Sequence, residues 1–94
     1  QPKVFKLMQN YPNPFNPETF IQYQLPEKGH VVLKIFNMIG QEVRSLVNGE
    51  KQAGYYEVRW DGKDNVGQLL PSGIYLAQLQ VGKLTTTRKM LLMK

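Results

Sequence analysis

Only one histidine, His30, is available to this chain for acid–base chemistry. A serine relay would have to run through it, with Ser45 or Ser72 as nucleophile. Neither serine stands in a nucleophile-elbow pattern. His30 follows Gly29 at the mouth of a turn, where a solvent-exposed imidazole is the expected outcome. The seven carboxylates, Glu18, Glu27, Glu42, Glu50, Glu57, Asp61 and Asp64, lie mostly in or beside turns. General acid–base work needs two of them facing across a cleft, and nothing in their spacing signals such a pair. With no cysteine, disulfides, thiolate zinc sites and a cysteine nucleophile are all excluded. The expectation is a protein that is not an enzyme.

Two binding chemistries remain. The loop Asp61-Gly62-Lys63-Asp64-Asn65-Val66-Gly67-Gln68 holds the best cation candidates, since Asp61, Asp64 and Asn65 offer oxygens to Ca²⁺. It lacks the alternating acidic ligands and final glutamate of an EF-hand loop, and Lys63 adds a positive charge. Capping of tight turns by the same side chains is the favoured reading, so neither a metal nor another cofactor is expected. A sugar-binding platform would draw on Trp60, Tyr55, Tyr56, Tyr75 and Tyr23. Alternation sends most of these inward, leaving Tyr55 alone on the outside.

The elements that position these residues are strands. Ile21, Tyr23 and Leu25 share one face of Thr19–Leu25, and Val31, Leu33 and Ile35 share one face of Val31–Phe36, with Lys34 opposite. Tyr56, Val58 and Trp60 oppose Tyr55, Glu57 and Arg59. Tyr75, Ala77, Leu79 and Val81 align in Ile74–Val81. A period of two with one wet face is the mark of half-buried strands. Val4–Met8, Glu42–Val47 and Leu84–Met93 alternate less regularly, the last with Met90 and Leu92 inward. Turn signals fall between the runs, among them Pro26-Glu27-Lys28-Gly29, Asn48-Gly49, Asp61-Gly62 and Val81-Gly82-Lys83. About seven short strands at this spacing in 94 residues predict one all-β domain, an immunoglobulin-like antiparallel β-sandwich.

Composition fits a single core, with 41% hydrophobic and 11% aromatic residues. The net charge of +5 is scattered, whereas a nucleic-acid face needs a concentrated stripe; no nucleic-acid partner is expected. No apolar run approaches the roughly 20 residues of a membrane helix, and Gln1–Lys6 does not read as a signal peptide. Because the sequence does not begin with methionine, it is expected to be a fragment of a longer protein.

The run Asn10-Tyr11-Pro12-Asn13-Pro14-Phe15-Asn16-Pro17 stands apart. Each proline fixes φ, lacks an N–H and pushes its predecessor out of the α region, which rules out a helix or a central strand. The run reads as a stiff, extended lead-in that donates no ladder hydrogen bonds, with Tyr11 and Phe15 as its two anchors onto the sandwich.

These pieces, in order, resemble the type A C-terminal sorting domain of type IX (Por) secretion substrates, which is related to the immunoglobulin-like domain of flagellar hook-capping proteins. The resemblance spans nearly the whole chain from Leu7. It rests on the run Asn10–Pro17 followed by Thr19-Phe20-Ile21-Gln22-Tyr23-Gln24-Leu25-Pro26, and on Val32–Arg44. It continues through Gly54-Tyr55-Tyr56-Glu57-Val58-Arg59-Trp60-Asp61-Gly62 and Leu70-Pro71-Ser72-Gly73-Ile74-Tyr75, and closes on Arg88–Lys94. It marks Tyr11, Pro12, Asn13, Pro14, Phe15, Asn16, Pro17, Trp60, Asp61, Gly62, Gly73 and Tyr75 as motif residues.

The resemblance implies a non-catalytic module fused behind an N-terminal cargo domain and read by outer-membrane secretion machinery. The product would be secreted or displayed at the cell surface, without membrane insertion. The last strand, at a free end, would be the piece a receptor pairs with by β-augmentation, making Lys89, Met90, Leu91, Leu92, Met93 and Lys94 the expected recognition segment. Two other classes stay open: a structural or carbohydrate-binding accessory module of an extracellular hydrolase, which loss of polysaccharide binding on Tyr55→Ala would favour, and a hook-capping-like assembly domain, which would oligomerise.

Overall fold

The computed structural model describes residues 1–94. Seven strands follow one another: β1 (Lys6–Leu7), β2 (Thr19–Leu25), β3 (Gly29–Phe36), β4 (Glu42–Lys51), β5 (Gly54–Trp60), β6 (Gly73–Val81) and β7 (Leu84–Leu92). They form two antiparallel sheets, one in the order β1-β2-β5 and the other in the order β4-β3-β6-β7. The chain crosses between sheets after β2, β4 and β5, and turns back within the four-stranded sheet at β3–β4 and β6–β7. This is the expected immunoglobulin-like sandwich.

Period-two alternation decides what lies between the sheets. Ile21, Tyr23 and Leu25 from one sheet meet Val31, Leu33, Ile35, Tyr75, Ala77, Leu79, Met90 and Leu92 from the other, all buried. Trp60 closes the core at the end of β5 with none of its surface exposed. Met90 and Leu92 thus point inward as their spacing predicts.

Strands β1 and β4 differ most from expectation, and β3 begins two residues early, at Gly29. The strand expected over Val4–Met8 contracts to Lys6–Leu7, where pairing with Gln24 and Tyr23 stops. The strand expected over Glu42–Val47 continues to Lys51, and Asn48-Gly49 lies inside it, opposite Val32 and Val31. A long neighbouring ladder thus overrides the local turn preference of Asn-Gly. Leu33 pairs with Val47 and Lys34 with Ser45, so Leu46 is an extra, unpaired residue; such a bulge bends and twists its strand.

Candidate recognition surface at the last strand

The N-terminal segment runs alongside β7, parallel to it. Arg88 Nε donates to the Leu7 carbonyl at 2.9 Å and Gln9 Nε2 to the Lys89 carbonyl at 2.7 Å. The Leu91 N–H donates to Asn13 Oδ1 at 3.0 Å. The Phe15 N–H then donates to the Leu91 carbonyl at 3.0 Å, and its carbonyl accepts from the Met93 N–H at 2.9 Å. The edge of β7 from Lys89 to Met93 is therefore occupied by the chain itself. The last strand was expected at a free end open to a receptor; backbone pairing along this edge would first require this strap to leave.

The proline-rich run is also not the non-pairing connector its composition suggests. The prolines donate nothing, but the residues between them do. Tyr11 exchanges hydrogen bonds with Phe20 at 3.0 and 2.9 Å, and Phe15 bridges to β7. The peptide bonds before Pro12, Pro14 and Pro17 are cis. Inside the loop, Asn10 Nδ2 donates to the Pro12 carbonyl and to Thr19 Oγ1, and the Thr19 hydroxyl donates to the same Pro12 carbonyl at 2.8 Å. Asn10 and Thr19 are 3% and 0% exposed, and buried polar groups persist only when satisfied in this way. Sequence reasoning missed this clamp. Its one visible signal is Asn10 itself, an amide leading into the prolines.

Of the two expected anchors, only one enters the core. Phe15 is buried and sits 5.4 Å from the Trp60 ring, which lies 5.7 Å from Tyr75 in an edge-on contact. Tyr11 is 79% exposed and is held by its backbone alone. Pro12, Asn13, Pro14, Asn16 and Pro17 are exposed around Phe15.

The other motif residues gather at the same pole. Trp60 Nε1 donates to the Lys63 carbonyl at 3.0 Å. Gly62 has φ +74°, and a Cβ there would stand 2.8 Å from the Pro17 carbonyl oxygen, so the turn and the close approach both require glycine. Gly73 opens β6 opposite Leu92. The Tyr75 hydroxyl donates to the Pro71 carbonyl at 2.7 Å, the tyrosine-corner arrangement of immunoglobulin-like domains. Burial pushes the Tyr75 phenol up.

The candidate cation loop is organised as a set of turn caps. Asp61 Oδ1 accepts from the Lys63 N–H at 3.0 Å and from Arg44 Nη1 at 2.9 Å. Burial alone would raise the Asp61 pKa, but the Lys63 N–H and the Arg44 guanidinium outweigh it and hold the carboxyl below its ordinary value. Asp64 Oδ1 accepts from Val66 and Gln68 N–H groups, and Asn65 Oδ1 from the Ser45 N–H. No three His, Cys, Asp or Glu side chains converge.

His30 makes no hydrogen bond to Ser45 or Ser72. His30 Nε2 meets Asn48 Oδ1 at 2.8 Å on the surface, and Ser72 Oγ accepts from the Lys94 N–H. Tyr55 is outward and 68% exposed. Its neighbour Tyr56 stacks on Tyr23 with ring centres 5.1 Å apart. Burial, with the Tyr56 phenol beside it, pushes Tyr23 up to about 12.

Of the expected recognition segment, Met90 and Leu92 are core and are not presented in the folded domain. Lys89, Leu91, Met93 and Lys94 are exposed, with Leu91 and Met93 projecting from the outer face of the sheet, opposite in sense to Met90 and Leu92.

Fold and strap together define an immunoglobulin-like module whose last strand is braced by its own N-terminal segment. The chain belongs to the FlgD Ig-like domain family, whose description matches residues 17–84. A search of curated proteins found no match. Among solved structures, dimeric latent PorU from Porphyromonas gingivalis is similar, with TM-score 0.75 and 21% identity over 98% of this chain. PorZ of the same organism, described as an essential bacterial surface component of the type-IX secretion system, aligns with TM-score 0.63 and 18% identity over 96% of this chain. FlgD from P. aeruginosa aligns with TM-score 0.63 and 21% identity over 97% of this chain and 74% of its own. The chain spans 9% and 11% of the PorU and PorZ chains.

Proposed function

We propose that this chain is a non-catalytic sorting domain, fused behind a larger cargo protein and read by secretion machinery of the bacterial outer membrane, so that the cargo is released or displayed at the cell surface. One observation carries the reading. The two ends of the sequence resemblance, Asn10–Pro17 and Arg88–Lys94, are hydrogen-bonded to each other along β7, and Trp60-Asp61-Gly62 and Tyr75 close the same pole. The resemblance thus corresponds to one built structural unit. The likeness in fold to part of PorZ, a type-IX secretion component, supports the same direction.

In this reading the exposed side chains of Lys89, Leu91, Met93 and Lys94 meet the machinery, while Met90 and Leu92 hold the strand in place. The test is a secreted reporter fused ahead of residues 1–94, followed in cells with and without a working type IX system. The reporter should leave the periplasm only where the system works. Equal retention in both strains would overturn the proposal.

A further inference from the structure

The outer face of the four-stranded sheet carries apolar side chains that the core does not use. On β3, β6 and β7 the residues alternating with the buried ones include Phe36, Ile74, Leu76 and Leu91 at one end of the sheet. Register brings them together. Ile74 lies directly across from Leu91, and Leu76 directly across from Phe36, positions whose Cβ atoms are about 5 Å apart. Ile74 and Leu76 are successive outward residues of one strand, so the four make one continuous cluster. Met93 extends it past the end of β7. Phe36, Ile74 and Leu76 are half-buried, whereas Leu91 and Met93 are 36% and 50% exposed.

The charges around the cluster are unequal. Glu42 lies across from Phe36, but its carboxylate is taken by Lys34 at 2.9 Å. Lys89, across from Leu76 on the same face, joins none of the salt bridges. The cluster is therefore apolar with a net positive rim, on a chain of charge +5.

Resting on the sorting reading, we infer that this face is where the secretion machinery docks: a protein surface with an apolar centre and a carboxylate on its rim to meet Lys89. The recognition unit is then a three-strand surface in which Leu91 and Met93 supply one side and Phe36, Ile74 and Leu76 the other. A linear C-terminal peptide reproduces only part of it. The strap along the β7 edge leaves this face open, so docking requires no strand exchange.

The reporter fusion tests this with Ile74→Glu, Leu91→Glu and Lys89→Glu, against Leu84→Glu and Val66→Glu as controls at exposed apolar positions away from the cluster. Leu91→Thr keeps strand preference in case the glutamate disturbs folding, and thermal melting of each isolated domain establishes that it is folded. Export should fall about tenfold or more for the face variants, the loss expected for a side chain central to an interface, with the controls unchanged. Failure of the unmodified fusion to leave the periplasm would count against the sorting reading itself. Normal export of the unmodified fusion together with folded Ile74→Glu and Leu91→Thr variants would overturn the docking face alone. Sedimentation of the isolated domain should show a monomer; a dimer abolished by Leu91→Glu would assign the face to a second copy of the chain and overturn the inference. Binding of the domain to vesicles of anionic phospholipid, lost in Leu91→Glu, would overturn it equally.

Discussion

Phe15 grips the end of β7 with both of its backbone groups: its N–H donates to the Leu91 carbonyl at 3.0 Å, and its carbonyl accepts from the Met93 N–H at 2.9 Å. Its ring meanwhile fills the core beside Trp60. One residue thus fixes the proline-rich run, closes an edge and completes the apolar pole. Replacing it with alanine removes the ring and leaves a cavity, at a cost of about 3 to 5 kcal/mol. Tyr11→Ala, on a largely exposed ring, should stay within about 0.5 kcal/mol of the parent. Urea unfolding monitored by Trp60 fluorescence compares the two. Equal losses would show that both aromatics anchor the run.

That contrast also shows where sequence reading stops. Tyr11 and Phe15 are both aromatics set among prolines, and local rules treat them alike. Their difference comes from Leu91 and Trp60, residues far along the chain. The inner faces of β2, β3, β5 and β6 were legible because polar residues such as Gln22, Lys34, Glu57 and Gln78 alternate with apolar ones and mark the wet side. Asn48-Gly49 was misleading because a turn preference worth little on its own lost to ladder partners in β3. The outer cluster was hidden for a related reason. In Ile74-Tyr75-Leu76-Ala77 both faces are apolar, and alternation accounts only for Tyr75 and Ala77.

Gly62→Ala should be costly although it adds a single methyl. The position has φ +74° and its Cβ would press on the Pro17 carbonyl. Left-handed backbone at a non-glycine residue costs about 1 to 2 kcal/mol, and the contact adds to that. A fall in melting temperature should accompany a change in Trp60 emission, because the turn also positions the Lys63 carbonyl that the indole N–H uses. An unchanged melting temperature would contradict a strained turn at this position.

Asp61 and Tyr23 set opposite ends of the pH profile. The folded Asp61 carboxyl is held below its ordinary value, so its stabilising contribution is present above the unfolded value near 4 and is lost as pH falls through the lower folded value. Asp61→Asn should flatten the acid limb of stability. The Tyr23 phenol is raised to about 12. Its contribution is complete below the unfolded value near 10 and is lost as pH rises from there through the folded value. Tyr23→Phe should flatten the alkaline limb and remove a phenolate that forms at about pH 12 in an ultraviolet titration. Limbs unaltered by these substitutions would count against both assignments.

Hydrogen exchange reads the strap directly. The Leu91 and Met93 N–H groups point away from β6 and are covered by Asn13 and Phe15. By alternation, the N–H groups of Thr85, Thr87 and Lys89 point the same way, and Asn13 and Phe15 do not reach them. Amides at Phe15, Leu91 and Met93 should therefore exchange slowly, and those at Thr85 and Thr87 fast, although all lie along one edge. Asn13→Ala removes the acceptor at Leu91 while leaving the Phe15 pair, so Leu91 alone should lose protection. In Phe15→Ala, Met93 should also lose protection, because the ring that holds the strap against β7 is gone. Equal, rapid exchange along the whole edge in the parent chain would mean that the strap opens freely and that β7 is available for strand pairing, which would return recognition to the edge and away from the sheet face.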